Sequence, residues 1–386
     1  MTSKLHVLIP DGNSTWALAV MNCLSDNSDY KLHVLSDKKR TPSKFSKHTS
    51  YFKYYKRTTN NDWLDIVSKE VETNSISIII PIAEEAFRFF INYTHLLPNS
   101  VKVIALPEIN NFETAINKHQ LSCFLNAHNL PHPKYNHFDD FQSFSEKGLK
   151  LQFPVLMKPL HEKGGDGILK FENQKKLDTF LKQHSDFSEL FIQEFIEGYD
   201  IDCSVLCLNG EILTHTIQKG NLKGHNSFAP QLGFEFFHNE ELFLVIKQLM
   251  KALNWSGVAH VDLRYDTKTK TYKVIEINAR FWGSVEGSKF AGINFPDLAI
   301  QLAMTNDIET QQFNEIEYMR LKGILKTIKR KPSFLFNKNF MLNNSEVKSF
   351  LKDPIPTCYR FVEWLERKFS VILLFLGQEL TFYTIY

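Results

Sequence analysis

Apolar runs alternate with amphipathic stretches along the N-terminal part of the chain. The apolar runs predict strands at residues 5–9, 30–35, 75–80 and 101–106. The amphipathic stretches predict helices at residues 15–24, 63–71 and 83–92, and Asn13 or Ser14 is the expected cap of the first helix. Strands that alternate with helices predict an α/β unit built on a doubly wound parallel sheet over residues 1–110.

The pattern changes in the middle of the chain. Residues 111–129 have the spacing of one amphipathic helix, which carries Lys118 and is stopped by Pro131. From residue 151, short strands and hairpin turns follow one another, and Asn209 and Gly210 are a typical hairpin turn. Residues 266–270 link two further strands at 260–264 and 272–277, and helices are expected at 240–253 and 296–304. Beyond residue 307 the chain has no clear motif.

The composition of the chain is that of a globular protein. Hydrophobic residues make up 43% of its 386 residues and charged residues 23%, which excludes a disordered or collagen-like chain. Lys and Arg number 45 against 43 Asp and Glu, so the charge gives no reason to expect nucleic acid or an anionic membrane as a partner. The apolar run at 371–376 is too short to span a bilayer. A homo-oligomer is left open.

The five cysteines help to indicate the cellular compartment of the protein. Their number is odd and none has CxxC spacing, which argues against a disulfide framework and against a cysteine-rich zinc site. Small buried residues in a reducing cytosol explain them better, so a cytoplasmic protein is expected. The central histidines at 215, 225, 238 and 260 have a spacing that suits no metal site, and we interpret them as structural or surface residues.

A lysine followed by a glycine-rich loop is the first candidate binding site. Lys158 ends a predicted strand, and residues 163–167 hold Lys163 and glycines at 164, 165 and 167. The backbone N–H groups of such a loop can bind phosphate oxygens, and lysine can balance their charge. The spacing matches neither GxxxxGK[ST] nor GxGxxG. A glycine-rich hairpin without a ligand explains this segment, taken alone, at least as well.

Acidic and apolar residues alternate over residues 193–202, at the end of another predicted strand. The backbone of such a linker could pair with an adenine edge, and a carboxylate could accept ribose hydroxyls. Taken alone, a solvated strand end explains the segment better. The turn at residues 11–14 and the acids Glu84 and Glu85 follow parallel strands, where open α/β sheets bind ligands, and they are candidates for substrate contacts.

Two paired strands carry the strongest chemical signal. Glu276 and Asn278 lie on one face of their strand, and Asp262 on the neighbouring strand can face them. Three hard oxygen ligands suit Mg²⁺ that bridges phosphates. Arg280 falls on the same face. Polar groups set between apolar residues of a strand are costly to bury without a partner, so a metal site explains them better than a surface hairpin.

Together these segments resemble the ATP-grasp superfamily, and most of all its carboxylate–amine ligases related to the large subunit of carbamoyl-phosphate synthase. The order of elements is similar over residues 1–306, and the motifs are specific from residue 118 to 284. The resemblance implies an N-terminal pre-ATP-grasp domain at 1–110 and an α+β ATP-grasp domain at 111–306. The latter would have lobes at about 111–190 and 191–306, and residues 307–386 would be an appendage of unknown role.

The resemblance also implies roles for individual residues. ATP would be bound by Lys118, Lys158, Gly164, Gly165, Gly167, Glu194, Phe195 and Ile196, with Asp200 or Asp202 on the ribose. Asp262, Glu276 and Asn278 would hold two Mg²⁺ ions, and Mn²⁺ is compatible with the same ligands. The expected catalytic residues are Arg280, Lys163 and Ser284.

The implied reaction joins a small-molecule carboxylate to an amine. ATP would phosphorylate the carboxylate, and an amine or amino acid would then displace phosphate from the acyl phosphate to form an amide. Two alternatives remain from the sequence. One is a carboxylase or a carbamoyl-phosphate type of ATP-grasp enzyme, and the other is a nucleotide-binding regulatory module without turnover.

Overall fold

The computed structural model describes residues 4–160, 167–184, 189–224 and 229–375. Its N-terminal part is a five-stranded parallel sheet with helices between the strands. The strands are β1 (Leu5–Ile9), β2 (Tyr30–Ser36), β3 (Thr49–Tyr54), β4 (Ile78–Ile79) and β5 (Lys102–Val103), and the helices are α1 (Ala17–Leu24), α2 (Asn60–Asn74) and α3 (Glu84–Tyr93). The order β3-β2-β1-β4-β5 is doubly wound, which confirms the predicted fold class.

Two details of the N-terminal prediction are wrong. Helix α1 begins at Ala17 with Trp16 as its N-cap, and neither Asn13 nor Ser14 caps it. The N–H of Ser14 instead donates to the carbonyl of Asp11 at 2.8 Å, which closes a turn ahead of the helix. The strand predicted at 75–80 shrinks to β4, although the N–H groups on either side of it also donate to β1.

The single helix predicted at 111–129 is two helices in the structure. They are α4 (Ile109–Ile116) and α5 (Lys118–Ala127). Asn117 between them has extended backbone angles, and its side chain accepts hydrogen bonds from the N–H groups of His119 and Gln120 at 3.0 Å. This cap places Lys118 at the first position of α5.

A small antiparallel sheet follows and forms a lobe with its own core. Its strands pair in the order β6-β9-β7-β8 and two helices cover it. The elements are β6 (Tyr135–Phe138), α6 (Phe141–Lys147), β7 (Val155–Lys158), β8 (Leu169–Phe171), α7 (Gln174–Gln183) and β9 (Leu190–Glu194). The buried side chains between the sheet and these helices form a cluster separate from the rest of the molecule. We call this unit the small lobe.

The largest sheet has six antiparallel strands in the order β14-β13-β10-β11-β12-β15. The elements are β10 (Gly198–Leu208), β11 (Glu211–Leu222), β12 (Gly233–Phe236), α8 (Glu240–Ala252), β13 (Gly257–Asp266), β14 (Thr271–Asn278), α9 (Val285–Phe290), α10 (Phe295–Thr305) and β15 (Ile316–Met319). Asn209 and Gly210, with φ of 50° and 82°, make the predicted hairpin turn between β10 and β11. We call this unit the central sheet.

The C-terminal part packs beside the central sheet. After β15 come the helices α11 (Leu321–Arg330), α12 (Lys338–Asn343), α13 (Val347–Lys352) and α14 (Pro354–Phe375). A 3₁₀ turn lies between α11 and α12 at Pro332–Phe336, and two others lie in the N-terminal part at Pro42–Phe45 and Thr94–Leu96. The domain boundary at 306 stays a prediction, but β15, which follows it, forms the edge of the central sheet. In the described ranges, no helix is both long and apolar enough to cross a membrane.

One hydrophobic core joins the N-terminal sheet to the central sheet. It runs from Val7 and Ile9 of β1 to Val258 and Val261 of β13 without interruption. The small lobe contributes nothing to this cluster from the residues that the structure describes. The protein is therefore one large body with the small lobe attached, and the cleft between the two is where the predicted site residues meet.

Candidate active site

A cavity of about 290 Å³ lies between the small lobe and the central sheet. Its wall includes eleven of the predicted site residues: Lys158, Glu194, Phe195, Ile196, Asp200, Asp202, Asp262, Glu276, Asn278, Arg280 and Ser284. Lys118 lies beside it, with its ammonium group 4.0 Å from a carboxylate oxygen of Glu276. The structure thus brings together most of the candidates that the sequence proposed.

Strand register places the acids on one face of the central sheet. Asp262 of β13 pairs with Glu276 of β14, and the next pair, Val261 with Ile277, is buried in the core on the other face. Asp202 of β10 pairs with Asp262 from the other side. Three adjacent strands therefore direct a carboxylate into the same part of the cavity.

Short contacts connect this acidic cluster. The amide of Asn278 donates to Asp262 at 3.3 Å, and a ring nitrogen of His260 lies 3.3 Å from the other oxygen of Asp262. Ligand atoms of Asp202, His260 and Asp262 all fall within 4.8 Å of one another. The interpretation of His260 as a structural or surface residue is therefore incomplete, because its ring lies inside the cluster and is also held by Ser204 at 2.8 Å.

The charges in the cluster are unfavourable without a cation. Burial, with Asp202 and Glu276 nearby, raises the pKa of Asp262 well above its usual value. Burial also raises the pKa of Asp202 to about 7. The pKa of His260 is lowered to about 3 by burial, so its ring is neutral and supplies no positive charge. The oxygen-rich donor set of Asp262, Glu276 and Asn278 fits a hard divalent cation such as Mg²⁺.

Three cationic side chains face the acids. Lys158 is buried and its ammonium group donates to the side chain of Gln193 at 2.7 Å. Burial lowers the pKa of Lys158 to about 8, although the Glu276 carboxylate acts in the opposite direction. Arg280 donates to Asn278 at 2.6 Å and forms an ion pair with Glu84 at 3.2 Å. Together with Lys118, these groups can bind a polyphosphate beside the cation.

The N-terminal residues that were predicted to contact substrate form hydrogen bonds and ion pairs within the protein. The Asp11 carboxylate accepts the N–H groups of Ile82 and Ala83, at 3.2 and 2.7 Å, and so ties the end of β1 to the loop after β4. Glu84 pairs with Arg280, and Glu85 pairs with Arg57 at 2.8 Å. Glu84 thus contacts the site through Arg280, and a role in binding substrate for the turn at residues 11–14, Glu84 and Glu85 stays a prediction.

The predicted adenine linker joins the small lobe to β10. The carboxylate of Glu194 accepts from the N–H of Lys134 at 2.8 Å and from the ammonium group of Lys273 at 3.0 Å. The ring of Phe195 lies 4.1 Å from the ammonium group of Lys170. The carbonyl of Ile196 accepts from Arg264 at 2.6 Å. The linker is thus fixed on both sides, and its contacts with adenine stay a prediction.

The two ribose candidates differ in their surroundings. Asp200 forms an ion pair with Arg264, and its side chain is 48% exposed at the mouth of the cavity. Asp202 is 17% exposed and accepts a hydrogen bond from Gln218 at 3.1 Å within the acidic cluster. Asp200 therefore has the more accessible position of the two for contact with a ribose.

The remaining predicted residues are placed as follows. Ser284 is buried beside α9 and accepts a hydrogen bond from Gln218 at 2.9 Å. Gly167 has a φ of +72°, and a Cβ there would approach Pro159 at 2.9 Å. Lys163, Gly164 and Gly165 lie outside the described residues. The catalytic roles of Ser284 and Lys163 therefore stay predictions.

Several wall residues were missed by the sequence interpretation. Gln218 links Asp202 to Ser284, and Gln193 holds Lys158. Trp16 and Arg320 close the end of the cavity next to the N-terminal domain, with the guanidinium group 5.6 Å from the indole ring. They come from distant parts of the chain, and no local motif marks them. Gln218 could have been found, because it alternates with the buried Ile217 along β11.

Comparison with known proteins identifies the fold. Residues 186–324 match the family described as ATP-grasp in the biosynthetic pathway with Ter operon. The chain has the ATP-grasp fold. Among solved structures, N5-carboxyaminoimidazole synthetase from Staphylococcus aureus complexed with ADP aligns with a TM-score of 0.66 and 12% identity, over 86% of each chain. The L-amino acid ligase from Bacillus licheniformis aligns with a TM-score of 0.58 and 17% identity, over 79% of this chain and 74% of that one.

Curated relatives agree with the ATP-grasp assignment. The carbamoyl phosphate synthase large chain of Thermoanaerobacter sp. (strain X514) is 23% identical over 264 residues, which are 65% of this chain and 24% of that protein. The D-aspartate ligase of Enterococcus faecium (strain Aus0004) is 25% identical over 196 residues, 44% of this chain and 45% of that one. The chain therefore spans less than half the length of these relatives. The resemblance to ATP-grasp proteins drawn from the sequence is confirmed.

Proposed function

We propose that this chain is an ATP-dependent ligase that activates a carboxylate as an acyl phosphate and couples it to an amine or amino acid. The observation that carries the proposal is the set of Asp262, Glu276 and Asn278, which share one cavity with Lys158 and Arg280 and have Lys118 beside them, 4.0 Å from Glu276. Acids paired with cations in this way suit a metal-bound polyphosphate. The D-aspartate ligase and the L-amino acid ligase among the similar proteins support ligation, and a biotin carboxylase is similar in structure as well.

The residues divide the binding of ATP between them. Lys158, at the end of β7 in the small lobe, and Lys118, at the start of α5, would bind the phosphates. The linker of Glu194, Phe195 and Ile196 would lie along adenine, and Asp200 would accept the ribose hydroxyls. The predicted loop with Lys163, Gly164, Gly165 and Gly167 would close over the phosphates. Binding at the cleft between lobes would exclude water from the reacting groups.

Asp262, Glu276 and Asn278 would hold Mg²⁺, and two ions are the expected number. When bound, Mg²⁺ would neutralise phosphate charge and make the γ-phosphorus more electrophilic. Asp202 and His260 border the same position and would fix the orientation of Asp262. Arg280, which donates to Asn278, would stabilise the charge on the transferred phosphoryl group.

The reaction then needs no nucleophile from the protein. A carboxylate oxygen of the substrate attacks the γ-phosphorus, and the bond from that phosphorus to the bridging oxygen of ADP breaks. The amine nitrogen next attacks the acyl carbon, the carbon–oxygen bond to phosphate breaks, and the amine loses a proton. Trp16 and Arg320 close the end of the cavity away from the linker, and we place the carboxylate and amine substrates there.

A cytoplasmic location is part of the proposal, supported by five free cysteines.

The test is release of ADP and phosphate from MgATP in the presence of pools of amino acids, small carboxylic acids and amines. Release that depends on a pool, and is lost in Glu276→Ala, supports a ligase, and division of the active pool identifies the acid. Binding of ATP without release in every pool would favour a regulatory nucleotide-binding module. A chain that does not bind ATP at all would contradict the proposal.

A further inference from the structure

A second cavity, of about 450 Å³, lies away from the acidic cluster. Its wall is built by the last turn of α1 and the residues after it, by the C-terminal ends of α9 and the loop to α10, and by α12 and α13. It is large enough for a small metabolite. None of the predicted site residues lies in its wall among those that the structure describes. We call it the C-terminal cavity.

The C-terminal cavity is positively charged. Its wall carries the three lysines Lys289, Lys348 and Lys352 and one acid, Asp26. Lys289 and Lys352 lie 2.7 and 3.1 Å from the Asp26 carboxylate. Partial burial raises the pKa of Asp26, but the two ammonium groups outweigh it and hold that pKa below its usual value. Asp26 is therefore ionised, and its single charge leaves an excess of positive charge in the wall.

The other polar groups of the wall are neutral hydrogen-bonding groups. They are Asn22, Ser25, Asn294, Asn343 and Ser349. His48 adds no charge at neutral pH, because burial lowers its pKa below the usual value. Lys348 is exposed on α13, with its ammonium group 5.7 Å from the ring of Phe290. Ammonium groups beside amides and hydroxyls suit a ligand with a doubly charged anionic group and hydroxyl groups.

Two helices connect the C-terminal cavity to the active-site cavity. Helix α1 has eight residues, so it is about 12 Å long. Its N-cap, Trp16, lies in the active-site wall, and Asn22 near its other end lies in the wall of the C-terminal cavity. Helix α9 repeats this arrangement, since Ser284 before it faces the active site and Lys289 at its end faces the second cavity.

The C-terminal segment makes a third connection. Glu346, just before α13, pairs with Arg320 of the active-site wall at 3.2 Å. Lys348 and Ser349, two and three residues further on, line the C-terminal cavity. A ligand that shifts the start of α13 would therefore shift the partner of Arg320.

One buried carboxyl group joins these three elements. Glu286 of α9 accepts hydrogen bonds from Asn22 of α1 and from Ser349 at the start of α13. It is 5% exposed. Because both donors also lie in the wall of the C-terminal cavity, a ligand there contacts the partners of Glu286 directly. Direct hydrogen bonds through Glu286 thus couple the three elements.

We propose that the C-terminal cavity is a regulatory site for a small phosphate ester that carries hydroxyl groups. The phosphate is bound by Lys348 and Lys352, with the more buried Lys289 beside them, and a hydroxyl group donates to the buried side-chain oxygen of Asn294. Occupancy changes the active site through α1, α9 and the pair of Arg320 with Glu346.

The experiment measures binding of glycerol 3-phosphate and ribose 5-phosphate to the full chain by calorimetry, with glycerol and ribose as uncharged controls. Saturating MgADP is present in one series to occupy the active site. Lys348→Gln removes one charge from the wall, and Lys338→Gln removes a lysine of α12 that is also exposed but lies outside the wall. We expect saturable binding of a phosphate ester in both series, weakened about tenfold in Lys348→Gln and unchanged in Lys338→Gln.

A second readout tests regulation. We expect a bound phosphate ester to change the affinity for MgADP by about fivefold or more, and the effect to be lost in Lys348→Gln. The proposal is overturned if no phosphate ester binds at millimolar concentration, if both variants bind as the natural chain does, or if MgADP simply displaces the probe. Binding without any change in MgADP affinity would overturn the regulatory role.

Discussion

Glu276 and Asp262 occupy opposite positions on β14 and β13, with their carboxylates on the cavity side of the central sheet. Asp202 adds a third carboxylate from β10. At the scale of residues, these carboxylates repel one another when ionised. A bound divalent cation would remove the repulsion, whereas the surrounding lysines reduce it only in part. Stability and activity therefore place opposite demands on these residues.

Replacing Glu276 with alanine tests that conflict. We expect ATP turnover to fall by at least ~100-fold, because a ligand of the metal is lost. The melting temperature, in contrast, should change little, because loss of the repulsion with Asp262 offsets loss of the ion pair with Lys118. Turnover and circular dichroism measure the two effects. Glu317→Ala, at an exposed position of β15 in the same sheet, is the matched control, and turnover of Glu276→Ala at its level would contradict the metal assignment.

Lys158 predicts a pH dependence of nucleotide binding. Its pKa is lowered to about 8 by burial, so its positive charge is lost as the pH rises through about 8. Affinity for MgADP should therefore be greatest below pH 8 and decrease above it. Calorimetry between about pH 7 and 9.5 measures this. Lys158→Met should bind weakly at every pH and show a flatter profile, and an unchanged affinity of the natural chain at high pH would argue against a phosphate contact.

Individual residues show where sequence reasoning works. Asp262, Glu276 and Asn278 could be predicted because they interrupt apolar strands in a hairpin, where register is local. Gln218 and His260 were missed as site residues, because their place in the site depends on the pairing of β10 with both β11 and β13. Arg320 lies some 300 residues from Trp16 along the chain, and only the folding of the whole chain brings the two side chains together.

At the scale of elements, the break between α4 and α5 matters most for the site. The apolar periodicity continues through residue 117, so the sequence pattern indicated one helix. The structure ends α4 and restarts the chain at the cap formed by Asn117, which turns Lys118 toward Glu276. A cap of this kind is a local hydrogen-bonding choice that hydrophobic periodicity does not detect.

Asn117→Ala distinguishes two capped helices from one continuous helix. Loss of the cap should lower the free energy of unfolding by about 1 kcal/mol and weaken MgADP binding through Lys118. A continuous helix would instead be stabilised, since alanine is the better helix former. Thermal melting and calorimetry measure both effects. Asn126→Ala, at an exposed position of α5, is the control and should leave nucleotide binding unchanged.

At the scale of the whole molecule, the N-terminal sheet and the central sheet share one core, and the small lobe has a separate one. The two sheets are held at a close approach, where the backbone of Gly257 meets the carbonyl of Ala105. A Cβ at Gly257 would lie 2.3 Å from that oxygen, and φ there is +90°. This junction joins the start of β13 to the residues that follow β5.

Gly257→Ala should therefore destabilise the protein by about 1–3 kcal/mol, through backbone strain and through the clash. Gly148→Ala is the matched control, because Gly148 also has a positive φ, +65°, but nothing lies within 4 Å of its Cβ position. Chemical denaturation of both variants separates strain from contact. Equal loss of stability in the two would show that the close approach at Ala105 contributes nothing.

The overall architecture was predictable where elements follow each other along the chain. The alternation of strands and helices indicated the parallel sheet, and the hairpins indicated the antiparallel one. The place of β15 was not predictable, because the strand is four residues long and joins β12 across some eighty residues of sequence. The C-terminal cavity depends on the same long-range packing of α12 and α13.

Transfer of oxygen from substrate to phosphate tests the central claim most directly. The acid identified in the pool assay would be labelled with ¹⁸O in its carboxylate and incubated with the chain, MgATP and the amine. Activation as an acyl phosphate predicts that each phosphate released carries one labelled oxygen, because the oxygen that attacked the γ-phosphorus leaves with it. Unlabelled phosphate formed together with the amide would contradict carboxylate activation by ATP.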